Sequence, residues 1–122
     1  MTTTTQQAPT RLAILGLFVP PLAWLISLGM SWMVQDFTCT ASMTAGAPPP
    51  ETGLWITLLV MNAVLLALTV SSGFVSGRTL RTGRSTGVTL TTFLGTTGII
   101  LAVVFAFGIL LIGMTPLALE VC

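Results

Sequence analysis

Few side chains in this chain could do chemistry. Its 122 residues include no His and no Tyr, and just two Cys and three acids; all four basic residues are Arg. Cys39 and Cys122 are the most reactive groups, but a nucleophilic thiol or hydroxyl needs an activating base beside it. With neither His nor Lys, no such pair can be assembled. Two thiolates also fall short of the four ligands of a closed zinc site. Haem ligation as a rule uses His, with Met or Cys as the other options. Met30, Met33, Met43, Met61 and Met114 have no His to pair with, and Met is more often a flexible packing residue. No catalytic, metal-binding or cofactor-binding residue is expected, and the chain is read as not being an enzyme. The chemistry left to the two cysteines is with each other.

The elements that must position them are apolar. The chain is 53% hydrophobic and 6% charged, against about 25% charged in a soluble domain. Three uncharged stretches stand out, each long enough for a helix to cross about 30 Å of hydrocarbon at 1.5 Å per residue. The expected fold is therefore an all-α membrane protein with three transmembrane helices. Its expected layout is a polar tail at 1–11, spans at 12–34, 54–76 and 91–113, an outer loop at 35–53, a basic loop at 77–90 and an outer tail at 114–122. The Thr- and Gln-rich tail has little reason to fold, and Pro48, Pro49 and Pro50 favour an extended polyproline connector. The first apolar run exceeds the 7–15 residues of a signal-peptide core, so it is expected to stay as a span even though Ala45 and Ala47 imitate a cleavage site.

Charge orients the spans. Arg11, Arg78, Arg81 and Arg84 fall on one side, and Asp36, Glu51 and Glu120 on the other. Arg near span ends stays cytoplasmic, so the N-terminus is expected inside and the C-terminus outside, in a bacterial inner membrane. Trp32 and Trp55 then sit at the outer ends of the first two spans as interface anchors. Both cysteines lie on the outer, oxidising face, which predicts a Cys39–Cys122 disulfide. The chain-entropy relation gives about 4–5 kcal/mol for so long a loop, an upper bound for helices already confined to a bilayer. Two free thiols, or a link to a partner chain, are the alternatives.

Small residues recur every four positions: Ala23, Ser27 and Ser31; Ala63, Ala67 and Ser71, then Gly73 and Gly77; and Gly98, Ala102 and Ala106, preceded by Thr91 and Gly95. Such stripes let helix backbones approach, within the chain or onto a partner. Pro20 and Pro21 remove backbone donors and predict a bend in the first span. Asn62 is the one amide deep in a span and is expected to face protein, in an interhelical hydrogen bond.

The absence of ionisable residues at membrane depth argues against a pump or coupled transporter. The net charge of +1 argues against a nucleic-acid partner. The run Pro20-Pro21-Leu22-Ala23-Trp24, followed by Leu28, Trp32 and Cys39, resembles the "GP-LAW…Cys" pattern of small multi-span proteins associated with bacterial haem-copper (cytochrome c) oxidases. Those proteins also tend to end their last span near a second cysteine, as at Cys122. The pattern departs at Pro20, where Gly is expected, and in the lack of His. The resemblance implies a non-catalytic accessory subunit of a respiratory oxidase or supercomplex, without redox centres, whose partners are other integral membrane subunits and lipids. The alternatives are a transient assembly factor and a self-associating, holin-like channel lined by Asn62, Ser71, Ser72, Thr92, Thr96 and Thr97.

Overall fold

A helix already formed in an apolar run extends easily, because each further residue adds one hydrogen bond to an existing nucleus. The computed structural model shows how far this goes. It describes residues 3–118 and Cys122, with only the backbone for 3–10. Three helices make up the fold: α1 (Thr3–Ala45), α2 (Glu51–Thr86) and α3 (Thr89–Ala118). All three are long and apolar enough to cross a membrane. The chain is a multi-pass, all-α membrane protein.

The helices overrun the limits drawn from hydropathy. They hold 43, 36 and 30 residues, so α1 is about 64 Å long at 1.5 Å per residue, twice the hydrocarbon thickness. The polar tail is helical from Thr3, and most of 35–53 and 77–90, expected as loops, is helix. Polar composition limits the span but not the helix. In the second segment the hydroxyls of Thr79, Thr82 and Thr86 donate to carbonyls one turn back, at 2.8–3.1 Å. These bonds keep polar side chains satisfied without leaving the helix.

The real breaks are two glycines. Gly46 (φ 63°) and Gly87 (φ 70°) adopt the left-handed conformation, which costs glycine nothing. The Ala47 N–H donates to the Ser42 carbonyl and Gly46 N–H to Met43, at 3.1 and 3.2 Å; Val88 N–H likewise donates to Gly83 at 3.2 Å. These bonds satisfy orphan carbonyls and turn the chain back at once. Pro50, at φ −77° and ψ 68°, departs from the ψ of about +145° of a polyproline helix and leads directly into α2. Glu51 then lies in the first turn of α2, where a negative charge suits the helix dipole. Helix α1 runs unbroken through Pro20 and Pro21, with Pro20 fully buried.

Each helix contacts the other two, α2 and α3 most extensively. The contacts are backbone-close. A Cβ added at Gly95 would lie 2.8 Å from the Leu80 backbone, and one at Gly83 would lie 2.8 Å from the Thr92 nitrogen. Midway along the bundle the three helices meet at Ser76, whose hydroxyl fills the space left by Gly16 of α1 and Gly98 of α3. A smaller apolar cluster of Ala23, Leu65 and Ile109, flanked by Trp24, Met61 and Leu66, packs beyond that junction.

Two glycine substitutions should therefore act with opposite signs. Gly95→Ala forces α2 and α3 apart and is expected to destabilise the bundle by about 1–3 kcal/mol. Gly77→Ala meets nothing within 4 Å and should be neutral or stabilising by up to about 1 kcal/mol, the helix-propensity gain. Unfolding in mixed micelles measures both; equal effects would contradict the packing described.

Candidate functional site

The polar groups within the bundle form a contact between helices. Asn62 on α2 is 5% exposed and faces α1, where Ser27 is fully buried. The Ser27 hydroxyl donates to Asn62 Oδ1. Asn62 Nδ2 donates to the Leu58 carbonyl at 2.9 Å and, more weakly, to Ser31 Oγ at 3.4 Å. Donor and acceptor of the amide are thus both occupied by the chain itself, which removes the cost of an unpaired amide in hydrocarbon. Gly113 of α3 lies alongside; a Cβ there would be 3.6 Å from Asn62 Cβ.

The α1 stripe sits where this contact needs it: Ala23, Ser27 and Ser31 are all buried. On α3, Gly95, Gly98 and Ala102 are buried and Ala106 is half-buried. The α2 stripe is placed differently. Ala63, Ala67 and Ser71 are exposed, and the inward face of α2 is Leu58, Asn62, Leu65, Thr69, Ser72 and Ser76. Of the two roles open to Ala63, Ala67 and Ser71, packing within the chain is not the one their exposure supports. Asn62 decides the difference, because residues one position on lie about 100° around a helix of 3.6 residues per turn. Turning the amide inward turns Ala63 outward. Gly73 is half-buried, with an added Cβ 3.0 Å from that of Ala102, whereas Gly77 borders open space.

Cys39 and Cys122 are joined in a disulfide with a Cα–Cα distance of 5.8 Å, across 83 positions. The bridge ties the extension of α1 to the end of the chain. Trp55 is half-buried and lines the cleft beside the bridge, and Trp32 is exposed. Asp36 and Glu51 are exposed at this end; Glu120 lies outside the described residues. Arg11, Arg78, Arg81 and Arg84 are exposed at the opposite end.

The hydroxyls considered for a channel do not share a face. Ser71 is exposed and its neighbour Ser72 buried. Ser71, Ser72, Thr92, Thr96 and Thr97 each donate to a backbone carbonyl three or four residues back, at 2.7–3.1 Å. Among the described residues, no group of three or more His, Cys, Asp or Glu is placed to hold a metal ion. The Trp24 ring packs against Phe105 of α3, with centroids 5.6 Å apart. Sequence reasoning passed over Gly16, Gly83 and Ser76, which make close contacts between helices, although Ser72 and Ser76, and Thr79 and Gly83, are spaced by four on the buried face of α2. Compared with protein-family models, curated proteins and solved structures, the chain matches none.

Two measurements check these contacts. Ser27→Ala and Asn62→Ala, singly and together, should show a coupling energy of about 0.6 kcal/mol and no more than about 1.7; strict additivity would mean that the hydrogen bond adds nothing. Maleimide should label neither cysteine before reduction and both after it, and two labelled thiols in unreduced protein would exclude the bridge.

Proposed function

We propose that this chain is a non-catalytic accessory subunit that packs against a larger energy-transducing assembly in the bacterial inner membrane. The observation that carries this reading is the outward face of α2. Ala63, Ala67 and Ser71 are exposed while the chain's own contacts are made elsewhere. A small-residue face turned to lipid lets another helix come close, and such approach drives association where no hydrophobic effect operates between helices. The polar side chains on and beside this face do not compete with this role, since Asn62, Ser71 and Ser72 are bonded within the bundle.

The respiratory assignment rests on the resemblance to proteins that accompany haem-copper oxidases. Three of the residues that carry it join helices here: Ala23 is in the core, Trp24 packs on Phe105, and Cys39 is bridged to Cys122. A pattern built on contacts between spans fits a structural subunit of an oxidase or supercomplex. In this reading the Arg end lies in the cytoplasm and the bridged end forms a small cap on the outer surface, where disulfides persist.

Affinity purification of the tagged chain from its native membrane in mild detergent, followed by mass spectrometry, tests the proposal. Stoichiometric recovery of other integral membrane subunits is expected. A lone homo-oligomer would contradict it in favour of a channel, and a substoichiometric, transient partner would indicate an assembly factor instead.

A further inference from the structure

A second feature lies on the outer side of the contact between α2 and α3. Between them runs a groove of about 530 Å³, lined by Gly73 and Gly77 on α2 and by Ala102 and Ala106 on α3, with Arg78 and Arg81 at one end. The groove exists because these four positions carry almost no side chain. At Gly77 even an added Cβ would meet nothing within 4 Å. From Arg81 to Val70, the α2 positions that bound it, the groove is about 16 Å long at 1.5 Å per residue. That is close to one leaflet, half of the roughly 30 Å hydrocarbon core. Both arginines are exposed.

We propose that this groove is a binding site for an anionic phospholipid, with one acyl chain lying against Gly73, Gly77, Ala102 and Ala106 and the phosphate held by Arg78 and Arg81. Three features select this occupant. The walls are apolar and accept a hydrocarbon chain. The length matches one leaflet, so a chain seated in the groove brings its headgroup to the arginines. Guanidinium binds phosphate oxygens through paired N–H donors, and basic residues at the membrane surface favour anionic over neutral headgroups. Arg84 and Arg11 lie at the same end of the bundle but do not line the groove, which provides an internal control.

The test uses the full chain in micelles containing equal phosphatidylglycerol and phosphatidylcholine, with retained lipid counted by native mass spectrometry. Wild type should retain phosphatidylglycerol in preference, with each lining Arg contributing about fivefold. Arg78→Gln with Arg81→Gln should abolish the preference, whereas Arg11→Gln with Arg84→Gln, which removes the same charge, should leave it intact. Gly77→Leu should expel both lipids by filling the groove; Ala106→Leu fills it from α3 and replaces that variant if its helix content or melting falls below wild type. No headgroup preference in wild type would overturn the proposal. So would equal losses in the two Arg pairs, which would indicate diffuse attraction to the surface, or undiminished retention in a stably folded groove-filling variant.

Discussion

Everything in this bundle depends on how closely three helix backbones can approach in a solvent where burying an apolar side chain gains nothing. Lipid tails are as apolar as leucine, so helices associate through packing and interhelical hydrogen bonds. The chain meets this constraint by omission of side chains. Gly95 lets the Leu80 backbone in, Gly83 admits Thr92, and Gly16 and Gly98 leave room for Ser76. Large apolar residues such as Phe74, Phe93, Val103 and Phe107 are more than half exposed. In water that arrangement would be a liability; facing lipid, it is the expected surface.

The same constraint governs the polar groups. The buried hydroxyls of Thr69, Ser72 and Thr79 each bond a carbonyl within their own helix, so they need no partner from elsewhere. Asn62 is different: an amide has more hydrogen-bonding capacity than one turn of helix can satisfy. It draws on Ser27 and Ser31 as well as Leu58 and so sets the rotation of α2 against α1. That rotation places Ala63, Ala67 and Ser71 on the outside. One amide thereby links internal packing to the surface on which the proposed partner would sit.

The number of spans, their approximate centres, the Cys39–Cys122 pairing and the inward orientation of Asn62 were legible in the sequence, because each follows from composition or from the cost of an unpaired group in hydrocarbon. The helix ends were not, since hydropathy reports where the lipid ends and not where the helix does. Gly46 and Gly87 were the available signal: a glycine that ends a helix in the left-handed conformation closes it whatever the polarity around it. The role of the Ala63, Ala67 and Ser71 face stayed open for a different reason. A repeat of Ala and Ser marks a surface that permits close approach, but it does not say whose helix approaches. Ser76 lies on a run of small residues of α2 at helical spacing, Thr69, Ser72, Ser76, Thr79 and Gly83, but the Gly16 and Gly98 that it meets belong to the other two helices.

In the proposed role the chain contributes packing to a larger assembly and no chemistry. The most direct measurement compares membranes with and without the chain, by native gel and by reduced-minus-oxidised haem spectra of the complex with which it purifies. Loss of the chain should leave the haem absorbance per complex unchanged while the assembly dissociates into smaller species. An assembly of undiminished size that has lost all electron transfer would contradict the account.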